Sequence, residues 1–588
     1  MRSPDFALGR FTHLERVIAW ALLLLLGGLQ AFVFADRLNP DGIAYLDIAA
    51  AYGRGDWDVA INPYWSPALS WMLALLERPL DLVGCGGLAR VHVLIVGMYA
   101  FALWSFERLV LALGETGSGP GAGLRAWRWF TYAAFGMIVM QMIGLVWLTP
   151  DILLLGLVCL ATAFGLRVLE AAPGHRCAIG FGGFLAIAFW TKSLLFPLSF
   201  VILGAAWWLA RGAGRRLMAV AAGVFVFMAL LWIVPLSVHE GRLTFGDAGR
   251  LNAAWFLDSV PAYRGWQGGD GTGSPVHPMF RADGVEAFAF PEPFAEATYA
   301  PWYAPEHWHE GARLRVRPGA IVRNVINGIL VVLGSTPLPF AIASIAVIWL
   351  LGRPRRRHDM RAGALLLVIP GIVGLASYVV LHVELRLVAP MLLLSWIGLA
   401  AMPRLRGEAA NRWSGPICLG FAVLIALVPL RDAARQIEWL RTGVTPGRDQ
   451  DCLIAAELEG LGFQRGTRVA AVGDGSAAAW AWIGGLRIVA DMPDADAFWS
   501  LDGKARMELD RFFAQAGARA VVAPAFPGSP VPPAPGAGWI RLGWSGHLVR
   551  DLESSEGPES TRGSARSGAG DSARESRSAE RDQSDGKR

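Results

Sequence analysis

The sequence predicts an α-helical polytopic membrane protein with a small α/β domain at its C-terminal end. Two observations predict the membrane part. Of 588 residues, 54% are hydrophobic and only 17% charged, where a soluble chain carries about a quarter charged residues. The apolar excess, with a mean hydropathy of +0.41, is gathered in long blocks rather than spread out. A third observation predicts the appended domain: past residue 460, short β-like runs alternate with a helical stretch.

Apolar runs of bilayer length lie near 17–34, 91–112, 129–148, 150–170, 178–191, 194–210, 217–237, 337–352, 363–382, 386–402 and 414–430, about eleven spans. The first follows Arg10 and Arg16 and is not trailed by a small-residue cleavage site, so it reads as a transmembrane helix rather than a signal peptide. Basic loops alternate with the spans: Arg125 and Arg128, Arg167 and Arg176, Arg211 with Arg215 and Arg216, "GRPRRRHDMR" at Gly352–Arg361, and Arg404, Arg406 and Arg412. The positive-inside rule places these loops and the N-terminus in the cytoplasm. An odd span count then puts the C-terminal part on the outer side of the membrane. The same arginines account for the net charge of +5 without nucleic acid as a partner. "RPGAIVRNVINGILVVLGS" (Arg317–Ser335) holds Arg323 and Asn324 within its apolar run and reads as an amphipathic helix on the outer surface.

This topology divides the chain into a transmembrane domain at 1–430, with outer loops at 35–90 and 237–335, an outer domain at 431–551 and a disordered tail at 552–588. The second outer loop, rich in Gly, Pro, Trp and Tyr, reads as a compact irregular lid rather than a sheet. In the outer domain "TRVAAVGD", "LRIVADM" and "ARAVVAP" are strand candidates and Gly503–Ala518 is a helix. Gly473, Gly475 and Ser476 follow the first strand without a GxGxxG or P-loop pattern, so a structural turn is favoured over a nucleotide site. From Leu552 aromatic residues vanish and Ser, Arg, Glu and Gly dominate. The five cysteines show no paired spacing; a Cys85–Cys452 bridge outside the membrane is compatible with the topology.

Chemistry concentrates in the first outer loop, "NPDGIAYLDIAAAYGRGDWDVAINPYWSPALSW" (Asn39–Trp71). A mere spacer needs neither its acids nor its rings. Ile43–Gly55 reads as a short interfacial helix with Asp41 at its N-terminal edge. A helix N-terminus favours an anionic carboxylate, which can accept a proton from a hydroxyl or hold a divalent metal ion; capping of the helix is the plainer role. Tyr45, Tyr64 and Trp65 here, and Trp302 and Tyr303 in the second loop, are flat rings suited to a sugar or acceptor. "EHWH" (Glu306–His309) places two His at i, i+2, off a shared helix face and poor for zinc.

Residues 41–76, beginning at Asp41, resemble the first outer loop of bacterial GT-C class glycosyltransferases, the superfamily of protein O-mannosyltransferases and lipid A aminoarabinose transferases. "WLTPDILLLGL" (Trp147–Leu157) is similar to that class's Thr-Pro-Asp helix entry, and "FWTKSLLFPL" (Phe189–Leu198) to its segment with a basic residue at the outer face. "HVELRLVAPMLLL" (His382–Leu394) resembles its acid-x-Arg-x-x-x-Pro pattern. The likeness covers most of residues 10–430. It implies transfer of a sugar from a polyprenyl-phosphate donor in the membrane to a glycan, lipid or protein acceptor outside. The first acid of the loop, here Asp41, would serve as base, and Lys192 and Arg386 would meet the donor phosphate. Many members carry adjacent acids in this loop. Here Gly42 follows Asp41 and the second acid is Asp47, so the base lies between these two, with Asp41 favoured and Asp47 as an orienting or metal-linked partner; Asp151 is a third candidate. The competing classes are a transporter or flippase of lipid-linked sugars and a non-catalytic envelope scaffold. Acids gathered at one face and the lack of a two-fold repeat argue against transport.

Overall fold

The computed structural model describes residues 11–82, 87–115, 125–169, 174–261, 266–268, 277–282, 284–290, 297–353, 362–405, 408–443, 450–525, 538–543 and 545–553. The chain is a helical bundle that passes into a seven-stranded sheet. The first helix, His13–Val33, starts on a capping box: Thr12 Oγ1 accepts from the Glu15 amide at 3.2 Å, and Glu15 accepts from the Thr12 amide at 2.9 Å. Its outer stripe, including Leu14, Leu25 and Phe32, is exposed, as lipid contact requires.

All the apolar runs fold as helices, but not all are long. Among the described residues, six are long and apolar enough to cross a membrane, or seven if the pair Pro318–Leu333 and Pro337–Leu350, bent by 77°, is one broken span. The expected count of eleven is not reached by length because several runs break early. The run at 129–148 leaves Arg125–Ile138 through a π-turn, Val139–Ile143, and stops at Gly144, whose φ of 74° ends the helix. His175–Thr191 and Leu195–Leu209 are separated by an extended Lys192, and Leu385–Ala401 has 17 residues.

Asp151–Val168 is the centre of the bundle and almost wholly buried, whereas most of His13–Val33 is not. The helices around it approach closely at glycines. A Cβ on Gly182 would meet the Ala221 carbonyl oxygen at 2.1 Å, and one on Gly371 would meet the Met391 carbonyl oxygen at 2.9 Å. The second contact clamps the helical hairpin Ala362–Leu381/Leu385–Ala401 that carries Arg386.

The strands are β1 Met279–Ala282, β2 Val285–Ala289, β3 Gly352–Arg353, β4 Arg404–Leu405, β5 Arg468–Val472, β6 Arg487–Met492, β7 Ala520–Pro524, β8 Trp539–Leu542 and β9 His547–Asp551. β3 and β4 form a two-stranded pair; the rest form one sheet in the order β1-β2-β6-β5-β7-β9-β8. β5 lies parallel to β6 and β7 because helices cross over between them, and the outer pairings are antiparallel. Leu509 and Phe513 of Gly503–Gln515 pack with Phe498, Val472 and Val521 beneath the sheet.

Two expectations change here. The second loop is not wholly an irregular lid, since it donates β1 and β2 to the C-terminal sheet. Strands of four and five residues do not stand alone, and only the free edge of β6, paired through Phe288–Asp491 and Ala289–Ala490, makes them strands. The boundary expected after residue 430 falls inside one helix, Glu408–Thr442. The tail beyond residue 553 and Cys85 of the considered bridge lie outside the described residues.

Candidate active site

The loop helix Pro40–Arg54 lies between the bundle and the sheet domain. Pro40 at its first position and Gly55 in the left-handed region at its end bound it sharply. Asp41 sits in its first turn. There Asp41 Oδ2 is 2.7 Å from Arg386 Nη1, and Oδ1 accepts from Trp302 Nε1 at 3.2 Å. Arg386 occupies the first turn of Leu385–Ala401, and its Nε donates to Glu384 Oε2 at 2.7 Å. Its Nη1 also stands 3.7 Å from Asp151 Oδ2. Asp151 opens the central helix and is fully buried; Lys192 Nζ donates to its Oδ1 at 2.6 Å. Lys192 reaches it because the backbone turns extended after Thr191, freeing the side chain from the helix it ends.

Asp41, Asp151, Lys192, Glu384 and Arg386 thus converge from four separate segments on one polar corner at the head of an apolar bundle. Three carboxylates face two cations, with His382 3.7 Å from Glu384. His382 first, and then Arg386, hold the Glu384 carboxyl down at about 2. Asp151 Oδ2 is buried without a hydrogen bond. Its charge is offset instead by Arg386 Nη1 at 3.7 Å.

The structure does not bring Asp47 into this corner. Six residues along a helix turn a side chain by about 240° and advance it about 9 Å. Asp47 therefore faces the sheet domain, where it accepts from the Thr298 amide at 2.8 Å and the Thr298 hydroxyl at 3.1 Å. Burial pushes its carboxyl up to about 7, against the pull of those bonds and of Arg54 and Arg487.

The rings form a packed staple. Tyr45 and Trp65 meet edge-on at 5.0 Å, Trp65 and Trp302 at 5.4 Å, and Tyr64 touches Trp65, Trp302 and Trp255. Trp65 Nε1 donates to the Trp302 carbonyl at 2.9 Å, and Tyr303 Oη to the Val59 carbonyl at 2.6 Å. Tyr45, Trp65, Trp302 and Tyr303 are buried and Tyr64 is half-buried. Their faces are spent on joining the first loop to residues 299–303, and that junction delivers the Trp302 indole to Asp41.

His309 of "EHWH" is likewise packed, with Trp255 donating to its Nε2 at 3.1 Å. Among the described residues, no three His, Cys, Asp or Glu side chains are placed to hold a metal. Asp474 caps the Gly475–Ala477 turn through the Ser476 amide and hydroxyl. Sequence reasoning missed the Trp302–Asp41 contact, whereas the Glu384–Arg386 pair was open to it. No local pattern signals the first, whereas the acid-x-Arg spacing carries the second.

No family model matches the chain, and no curated protein matches it by sequence. Solved structures do match. ArnT from Cupriavidus metallidurans bound to undecaprenyl phosphate aligns with 92% of this chain and 99% of its own, at 13% identity and a TM-score of 0.53. The apo form of that protein aligns at 15% identity and a TM-score of 0.40, over 92% and 98%. The oligosaccharyltransferase of Archaeoglobus fulgidus, in complex with zinc and sulfate, aligns at 11% identity and a TM-score of 0.46, over 86% and 67%. At this identity only the first likeness carries weight, and it shows the fold alone: the chain, with its membrane-length apolar helices, has the fold of that ArnT.

Proposed function

We propose that the chain transfers a sugar from a polyprenyl-phosphate donor to an acceptor hydroxyl on the outer side of the cytoplasmic membrane, with Asp41 as the base. In this reading the short apolar helices also cross, which restores an odd count near eleven spans, with the N-terminus cytoplasmic and the sheet domain outside. The observation that carries it is the four-segment corner in which Lys192 and Arg386 neutralise Asp41 and Asp151.

The arrangement suits an anionic leaving group. An incoming donor phosphate competes with the carboxylates for Lys192 and Arg386, and drawing Arg386 away from Asp41 releases the carboxylate. Asp41 then takes the proton of the acceptor hydroxyl as its oxygen attacks the anomeric carbon. The bond from that carbon to the phosphate oxygen breaks, and its electron pair leaves on the polyprenyl phosphate, stabilised by the two cations. A single displacement inverts the anomeric centre. Asp151 is a positioning residue, holding Lys192 at the site, and no step is routed through a metal.

The test is release of polyprenyl phosphate by purified protein in nanodiscs, supplied with a panel of polyprenyl-phosphate sugars and envelope extract. Release by wild type and not by Asp41→Asn is expected. Equal release by both moves the base to another acid. A folded wild type that releases nothing from any donor defeats the transferase reading.

A further inference from the structure

A strap at residues 312–317 leads into the helix Pro318–Leu333. It is fastened at both ends. Arg250 Nη1 donates to the Ala312 carbonyl at 2.9 Å, and the Arg317 amide donates to the Leu257 carbonyl at 3.1 Å. Between these anchors Arg313, Leu314, Arg315 and Val316 are all exposed. Basic and apolar residues alternate here, the pattern that turns the two kinds to opposite sides of an extended chain. Residues 310–335 hold four arginines and one acid, Glu310, so the stretch is positive. Arg317 Nε donates to the buried Asp258 at 3.0 Å while its side chain stays exposed. Among the described residues, Arg313 and Arg323 have no acidic partner.

The helix lies across the bundle. It is bent by 77° from Pro337–Leu350. That neighbour runs alongside Leu385–Ala401, where Trp396 Nε1 donates to Ser344 Oγ at 2.9 Å and Trp349 Nε1 to the Leu399 carbonyl at 3.0 Å. A helix nearly perpendicular to the bundle direction lies near the membrane plane. Its face of Ala320, Asn324 and Gly328 meets the protein. Asn324 Nδ2 donates to the Phe256 carbonyl at 3.0 Å and to the Leu381 carbonyl at 2.9 Å, and a Cβ on Gly328 would stand 3.3 Å from the Val379 carbonyl oxygen. The Leu381 contact sets the helix beside the loop that carries Glu384 and Arg386. On the opposite face Val322, Ile326, Ile329 and Leu333 form an exposed apolar stripe, and Arg323 and Asn327 are exposed on the flank. Water covers such a stripe at a cost that acyl chains do not incur. With the stripe in the acyl layer, the arginines stand at head-group level, where guanidinium forks match phosphate oxygens. In the orientation proposed above this is the outer side, where arginines are not needed to orient the chain.

We propose that the strap and the helix Pro318–Leu333 form a docking surface for anionic phospholipid, with Arg313 and Arg323 on the head-group phosphate and the apolar stripe in the acyl layer. The proposal does not depend on the transferase reading, because its test reads lipid contact alone. Full-length protein carrying the photocrosslinker benzoylphenylalanine in place of Leu314, or in place of Ile326, is reconstituted in phosphatidylcholine nanodiscs with a minority of phosphatidylglycerol. Lipid adducts formed on irradiation are identified by mass spectrometry.

Adducts are expected at both positions, with phosphatidylglycerol enriched about tenfold over its share of the bilayer, the scale for one or two basic residues at an anionic membrane surface. The enrichment is expected to vanish in the Arg313→Gln/Arg323→Gln double variant. It is expected to persist in Arg215→Gln/Arg216→Gln, which removes exposed arginines at the other end of the bundle. Thermal midpoints of the variants, all changed at exposed positions, check that they fold. Capture of phosphatidylglycerol at no more than its bilayer share overturns the proposal. So does enrichment that survives the loss of Arg313 and Arg323, or the absence of lipid adducts at both positions.

Discussion

The first turn and the middle of the helix Pro40–Arg54 carry the same residue type into different chemistry. Asp41, in the first turn, meets a guanidinium and an indole over the mouth of the bundle. Asp47, under two turns further on, meets the neutral donors of Thr298 in the seam with the sheet domain, and burial lifts its carboxyl to about 7. Helical rotation alone sends the pair to different neighbours, and the neighbours decide what each acid does. Two acids close in sequence are not thereby one site.

The sharpest way to break this contrast is to neutralise each acid in turn. Asp41→Asn is expected to lower sugar transfer by about 10²–10⁴-fold, the usual range for a general base, with the thermal midpoint little changed. Asp47→Asn is expected to leave transfer within a few-fold of wild type, measured in the same polyprenyl-phosphate release assay. Equal losses in the two variants would erase the distinction.

Removing the cations comes next. Arg386→Gln is expected to lower kcat/KM by about 10²–10³-fold, the scale for one electrostatic donor at a developing charge. Lys192→Gln is expected to do likewise and also to destabilise the fold, because it leaves the fully buried Asp151 without its 2.6 Å partner. Steady-state kinetics against donor concentration, with circular dichroism on the same preparations, separates the two effects.

A smaller effect concerns pH. The Asp47 carboxyl is raised in the folded protein from an ordinary value of 3.8 to about 7. Between those values the folded state binds more protons than the unfolded chain, so the slope of stability with pH is negative. The contribution is complete below the unfolded value, declines as pH rises toward 7, and is level above it. Thermal midpoints measured from pH 5 to pH 8 should therefore fall less steeply in Asp47→Asn than in wild type. Parallel curves would mean that Asp47 is solvated in the folded protein.

The smallest test is of the ring staple. Trp65→Phe keeps most of the packing but leaves the Trp302 carbonyl without its buried donor. The expected cost is about 1–3 kcal/mol, read by denaturant unfolding of the solubilised protein. A rise in donor KM would accompany it if Trp302 swings away from Asp41.

Much was legible in the sequence because its signals are local. Apolar blocks, their basic loops, the Gly stop of the loop helix, and the runs at β5, β6 and β7 all depend on neighbours a few residues away. Asp41, Lys192 and Arg386 stood out through the family resemblance of their segments, helped by their place at the ends of apolar runs. The tertiary structure decided the rest. Lys192 meets Asp151 only because their helices pack side by side, and Arg386 meets Asp41 across hundreds of residues of chain. β1 and β2 are strands only because β6 offers an edge, and Trp302 reaches Asp41 only through the ring staple. Periodicity and hydropathy report the environment of a segment; which segments share that environment is set by close packing, and packing is written in no single stretch of chain.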